Sequence, residues 1–342
     1  MSAYWRTDDE LLIDHEIPDE LHITHHTWEL RNFKTGVSRD VAQLHNTIES
    51  PIRMGLDFGP KCEITPDRHA VRIWWYGRFT SMSLDEAALN QKVVWHALPG
   101  ANLPTYDDAD GQSPSEKPHP AQGKVKGSLS SSQWIYSYDC AGCDEISYLR
   151  GDDTGSIETL PSFQPPYALS TSDEAMFLGA SPNGHIFEYV GPNLWTRPVK
   201  PSTMVEYVPG SRIPLRSNPI SLPIPNPIVT SELDYRISPR LSPDGTKIVW
   251  LLYYTYFPAD TPLKAFLRRI HVLPPLPDRA IWISDQLGRH LHLVSTWSAG
   301  DDILSHLEWT PNSRSISFLQ HHFLGPAKKT SDVMLCKIMV GK

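Results

Sequence analysis

The chain has 342 residues, 40% of them apolar, which is enough to bury a substantial core. Thirty-one prolines, twenty glycines, eleven Trp, thirteen Tyr and ten Phe suit strand edges, turns and large apolar contacts rather than long helices. A formal charge of −8 with no basic stripe argues against a nucleic-acid partner, and no apolar run is long enough to span a membrane as a helix.

In chain order, Met1 to Glu10 is polar and acidic and lacks the features of a signal peptide. The location expected from this is cytoplasmic, or secreted after removal of a signal. Leu21 to Leu44 reads as part of a first group of strands. Ile64 to Tyr76 (ITPDRHAVRIWWY) carries a Thr-Pro-Asp turn followed by a strongly apolar strand. Asn102 to Gly127 is rich in Pro, Asp and Ser and reads as a loop. Leu129 to Tyr138 (LSSSQWIYSY) repeats the turn-then-strand pattern, with strands expected after it at Glu145 to Arg150 and Ser156 to Leu160. Between them Cys140 and Cys143 form a C-x-x-C with no partner motif. A structural pair, as thiols or a local disulfide, is expected there rather than a zinc site.

Ser170 to Gly179 (STSDEAMFLG) is taken as a further copy, followed by strands at His185 to Val190 and Leu194 to Val199. The proline-crowded stretch from about 200 to 230 has no clean period and reads as a second long loop. The clearest copy is Leu241 to Tyr254, LSPDGTKIVWLLYY. Pro243 presets φ, Asp244 accepts local backbone hydrogen bonds, and Gly245 tolerates positive φ. Strands are expected after it at Arg279 to Ser284 and His290 to Thr296. The last copy is Trp309 to His322, and a final strand is expected at Val333 to Val340.

Anchors at 64, 129, 170, 241 and 309, each followed by further short strands, are the mark of four-stranded antiparallel propeller blades. With the N-terminal segment they predict an all-β chain forming one six-bladed β-propeller, closed by pairing of the N- and C-terminal strands. The turns LSPDGTKIVW and EWTPNSRSISF resemble the TolB-like propeller repeat, and the signatures of WD and kelch repeats are missing. Within that class the whole chain looks like the fungal propellers that act as hetero-Diels–Alderases in tropolone–sesquiterpenoid biosynthesis. The resemblance implies cofactor-free catalysis of secondary metabolism: a tropolone o-quinone methide joined to a humulene-type sesquiterpene, giving a dihydropyran. It carries no site residue over to this chain.

The residues themselves suggest where a site would lie. Second strands of blades should end at the top rim, and first strands should line the channel. Candidates for binding an apolar, ring-shaped substrate are Trp75, Tyr138, Tyr254 and His321 at the rim and Tyr235 at the entry of a first strand, where Asp57-Phe58 and Asp301-Asp302 also stand. Arg236 and His306, in first strands, are candidate catalytic groups: a cation to hold a tropolone oxygen and an imidazole to assist loss of water. Against those roles stand interblade packing of the aromatics and an ion pair of Arg236 with Asp234 or Asp302. Among the fifteen histidines, His25 and His26 should point to opposite faces, while His290 and His292 share a face but lack a third ligand, so no metal and no cofactor are expected. The partners expected are apolar small molecules, with no nucleic acid and an open oligomeric state. A non-catalytic lectin or protein-binding propeller remains open, as does a metal-dependent lactonase-like one using Asn218, Asn226 and Glu232.

Overall fold

The computed structural model describes residues 2–18, 23–41, 49–51, 61–75, 78–85, 93–97, 123–139, 146–154, 156–159, 173–192, 202–208, 211, 213–222, 235–254, 262–270, 272, 277–298, 303–324 and 330–340. Among them, one short helix accompanies six antiparallel sheets, and the chain is a six-bladed β-propeller. Blade 1 holds β1 (Ser2–Trp5), β2 (Glu10–Pro18), β3 (Ile23–Asn32) and β4 (Ser38–Asp40), with β5 (Glu49–Pro51) also paired to β3. Blade 2 holds β6 (Lys61–Ile64), β7 (Ala70–Trp75), β8 (Arg78–Ser83) and β9 (His96–Ala97). Blade 3 holds β10 (Gly123–Ser128), β11 (Gln133–Asp139), β12 (Ile146–Asp152) and β13 (Ile157–Thr159). Blade 4 holds β14 (Asp173–Ala180), β15 (Ile186–Pro192), β16 (Ser202–Tyr207) and β17 (Arg216–Ile220). Blade 5 holds β18 (Tyr235–Leu241), β19 (Lys247–Tyr254), β20 (Pro277–Asp285) and β21 (His292–Ser298), with helix α1 (Pro262–Arg269) between β19 and β20. Blade 6 holds β22 (Ile303–Trp309), β23 (Ser315–Leu324) and β24 (Thr330–Met339).

The repeat seen in the sequence is one turn made four times. Thr65-Pro66-Asp67-Arg68, Ser181-Pro182-Asn183-Gly184, Ser242-Pro243-Asp244-Gly245 and Thr310-Pro311-Asn312-Ser313 each join the first strand of a blade to the second. In each, the fourth residue has a left-handed φ: 69°, 79°, 72° and 57° in that order. Its N–H donates to the carbonyl of the first residue at 2.8–2.9 Å. The first residue's hydroxyl donates to the Asp or Asn side chain, at 2.7 Å from Thr65, 2.6 Å from Ser242 and 2.9 Å from Thr310, and likewise from Ser181 to Asn183. Proline presets the second position, and a short polar side chain at the third satisfies the turn from inside.

Contacts divide the chain into two compact units, residues 1–168 with 209–213 and residues 169–208 with 214–342. The first holds blades 1 to 3 and the second blades 4 to 6. Within each unit the first strands of successive blades are neighbours: β1, β6 and β10 in one, β14, β18 and β22 in the other. The core lies between blades, as expected where sheets with alternating apolar faces stack. Leu12, Trp28 and Leu30 of blade 1 pack with Cys62, Ile64, Val71 and Ile73 of blade 2. Phe187, Tyr189 and Met204 of blade 4 pack with Ile248, Trp250 and Leu252 of blade 5. Val249, Leu251, Ile281 and Ile283 of blade 5 meet Trp309, Ile316 and Phe318 of blade 6. Val249 and Trp250 thus bury opposite faces of one strand, which explains the unbroken apolar run of β19.

Five expectations change. The loop expected at Asn102–Gly127 ends early, because its last residues from Gly123 form β10, the first strand of blade 3. The copy assigned to Ser170–Gly179 is out of step by one strand: Asp173–Ala180 is the first strand of blade 4, and its turn is Ser181–Gly184. The stretch 200–230 is not all loop, because β16 and β17 complete blade 4 inside it; Pro219 sits on the outermost strand, where a missing N–H costs little. The terminal strands do not share a sheet among the described pairings. β1 turns through Arg6 to Glu10 straight into β2, so it opens blade 1, and β24 pairs with β23. Finally, His290 has φ +58° and lies before β21, so it shares no strand face with His292, whose Nδ1 lies 3.1 Å from the His290 carbonyl oxygen.

Candidate functional site

Five of the seven residues singled out in the sequence fall in the second unit, on blades 5 and 6. Tyr235 and Arg236 open β18, His306 lies in β22 beside it, Tyr254 ends β19 and His321 lies in β23. Tyr235 pairs with Tyr254, Arg236 with Tyr253, and Ile303 with His321. Tyr254 and His321 therefore occupy one register position in successive blades, opposite the first residue of the first strand. Tyr138 holds that same position in blade 3, opposite Gly123. Trp75 is one residue beyond it in blade 2, where Trp74 pairs with Lys61 and Trp75 with Arg78. These are strand positions; apart from that of His306, the side chains of the seven lie outside the described residues, as do Asp57, Phe58, Cys140, Cys143, Asn226, Glu232, Asp234, Asp301 and Asp302.

His306 is the residue whose local structure stands out. It is partly buried, and its φ of +50° is left-handed. The register of β22 against β23 slips there: Ser305 faces Leu319 and Glu308 faces Ser317, so His306 and Leu307 together face Phe318. This is a β-bulge, and a left-handed bulge residue is ordinarily glycine. First strands of blades 3 and 4 also carry bulges, and there the chain does use Gly127 and Gly179. A histidine in this conformation costs on the order of 1 kcal/mol. The bulge re-aims the side chain relative to an unbroken strand, and such strain gathers at sites where orientation matters.

Asn218 leaves the lactonase-like set. It lies on β17, the outermost strand of blade 4, and its Nδ2 donates to the Leu287 carbonyl at 2.9 Å and the Pro219 carbonyl at 3.0 Å. It ties blade 4 to blade 5. No group of three or more metal-ligating side chains occurs among the described residues.

In the first unit the sequence reading missed a buried polar pair, Asp14 and His26. Both are 2% exposed, and His26 Nδ1 lies 3.0 and 2.9 Å from the two carboxylate oxygens of Asp14. Its Nε2 is buried without a hydrogen-bond partner. His26 shares the inward face of β3 with Trp28 and Leu30, while His25 is half-exposed, as alternation requires. A carboxylate on Nδ1 orients an imidazole so that Nε2 can accept or give a proton. The available signal was polar residues in the inward positions of two otherwise apolar strands, Asp14 after Leu12 and His26 before Trp28.

No protein-family profile and no curated protein matches the chain. Among solved structures it is similar to a protein from Lactobacillus plantarum, with 11% identity, 99% of this chain and 84% of that one covered, and a TM-score of 0.46. It is similar to a proposed TolB from Agrobacterium tumefaciens, with 12% identity, 94% and 86% coverage and a TM-score of 0.45. It is also similar to the β-propeller domain of the Trilobed protease from Pyrococcus furiosus, with 11% identity, 100% and 86% coverage and a TM-score of 0.41. The propeller assignment itself stands on the six sheets of this chain and the turn that joins their strands.

Proposed function

We propose that the chain is a cofactor-free hetero-Diels–Alderase that joins a tropolone o-quinone methide to a humulene-type sesquiterpene. The observation that carries the reading is the left-handed bulge at His306, on the first strand next to the one bearing Arg236. The whole-chain resemblance drawn in the sequence supplies the substrate class. In this reading His306 acts as a general acid on the hydroxymethyl group of a tropolone alcohol. The carbon–oxygen bond breaks, water leaves with the delivered proton, and loss of the tropolone hydroxyl proton gives the o-quinone methide. Arg236 donates hydrogen bonds to the oxygen on which charge collects. The C=C–C=O unit then adds across one alkene of the terpene, forming one carbon–carbon and one carbon–oxygen bond with no net oxidation. For that step the protein need only hold two apolar partners in a reactive geometry, which can lower a barrier by several kcal/mol. Within the second unit, aromatic groups at Tyr235 and Tyr254, with His321, would bury them.

Purified protein incubated with a tropolone alcohol and humulene alcohol should raise the yield and fix the stereochemistry of the dihydropyran, with or without chelator. Arg236→Ala and His306→Ala should each slow turnover by about 100-fold or more while circular dichroism stays unchanged. A product mixture identical to the uncatalysed one would end the reading. Activity lost on chelation would replace it with a metal-dependent one.

A further inference from the structure

Helix α1 interrupts blade 5 between its second and third strands, and it carries its apolar side chains outward. Leu263 is 67% exposed, Phe266 56% and Ile270 48%, and Val272 just beyond the helix is 63% exposed. Leu263, Phe266 and Ile270, with the half-buried Leu267, follow the spacing i, i+3, i+4, i+7, so they form one stripe. The helix is held at its end by the Ile270 N–H donating to the Phe266 carbonyl at 3.1 Å and the Val272 N–H to the Leu267 carbonyl at 2.9 Å. Pro262 at the first helical position needs no donor and presets φ. The charge of this segment opposes that of the chain. From Thr261 to Pro277 there are Lys264, Arg268, Arg269 and His271 and no Asp or Glu, in a protein of formal charge −8.

An exposed apolar stripe alone would not say what covers it; the local charge does. We propose that α1 docks the protein onto an anionic lipid surface. The apolar stripe would enter the boundary between headgroups and acyl chains while the cations meet lipid phosphates and carboxylates. Because the helix is already formed, docking pays no folding cost. A second copy of the chain is a poorer occupant: a two-fold contact through this face would bring two sets of three cations together. The inference stands independently of the proposed reaction.

The test is co-sedimentation of the full chain with vesicles of phosphatidylcholine alone or of phosphatidylcholine and phosphatidylserine at two to one. The protein should pellet with the mixed vesicles, far less with the neutral ones, and be released by added salt. Lys264→Gln, Arg268→Gln and Arg269→Gln should each weaken binding about fivefold. Leu263→Asp with Phe266→Asp should weaken it at least tenfold. If that pair does not fold by circular dichroism, Leu263→Ser and Phe266→Ser carry the test. No pelleting with mixed vesicles at low salt, or unchanged pelleting of the apolar variants, would overturn the proposal. So would light scattering that shows a dimer broken by Leu263→Ser, or pelleting that is lost only when a protein partner is removed.

Discussion

At the scale of single residues, His306 combines a chemical side chain with a backbone conformation that favours glycine. The two can be separated. His306→Gly removes roughly 1 kcal/mol of left-handed strain and adds about 0.5–1 kcal/mol of backbone entropy loss. With the loss of the imidazole's own interaction, about 0.5–1.5 kcal/mol, the variant should unfold within about 2 kcal/mol of the parent in urea while turnover falls about 100-fold or more. Retained turnover would mean that the bulge serves the strand alone. The sequence pointed to His306 by its place in a first strand, but not to its bulge. A register slip depends on how β23 pairs across it, and that pairing is not written in the residues of β22. The Asp14–His26 pair escaped for a related reason: its two members are twelve positions apart and meet only through the register of β2 with β3.

At the scale of elements, the shared turn makes a pH prediction. Asp67 and Asp244 are both held below the ordinary aspartate value of 3.8. Burial by itself would raise them. The opposing hydrogen bonds prevail, for Asp67 from the Thr65 hydroxyl, the His69 N–H and Ser131, and for Asp244 from the Ser242 hydroxyl and both the N–H and hydroxyl of Thr246. Nearby His69 and Lys247 add charge in the same direction. A depressed folded value means stability present above 3.8 that is lost as the pH falls through the lower folded value. Asn stands at the same place in the turns of blades 4 and 6, so it fits the geometry. The double variant Asp67→Asn, Asp244→Asn should fold and lose less melting temperature than the parent between about pH 5 and about pH 3. An equal loss in both proteins would remove these carboxylates from the acid response. The turn was legible because its chemistry is local. Proline, a short acceptor and a residue tolerant of positive φ lie within four positions. In blade 4 the stronger copy, Ser181–Gly184, stands next to a weaker one in Ser170–Gly179, and the weaker one places the blade one strand out of step.

At the scale of the whole molecule, blades must be tied to each other as well as stacked. In the first unit Arg72 of β7 does this for blades 2 and 3. Its side chain is fully buried, and its Nε and Nη2 donate to the Asp153 carboxylate at 2.8 and 3.0 Å. Its Nη1 donates to the Ser128 hydroxyl at 2.7 Å and to the Ser130 and Gln133 carbonyls at 2.9 and 3.1 Å, and Nη2 also donates to the Ser131 carbonyl. Arg72→Met should lower the free energy of unfolding by about 3 kcal/mol, because it strands buried acceptors. Arg72→Lys should recover only part, since an ammonium cannot reproduce the planar fork. Full stability of Arg72→Met in urea would show that packing alone joins these blades. In sequence Arg72 is the one charged residue of a strongly apolar strand; only blade 3 beside it supplies the partners that make it a core residue.

The sequence by itself determined the class of fold, because alternating apolar strands and Ser/Thr-Pro-Asp/Asn turns act over a few residues. It also determined which strand ends carry aromatic and imidazole groups. The tertiary structure decided what depends on partners distant in the chain: the strands inside the proline-rich stretch of blade 4, the separate sheets of the first and last strands, the tie of Asn218 to Leu287, and the outward face of α1. The strained bulge at His306, like these, exists only once a neighbouring strand sets the register.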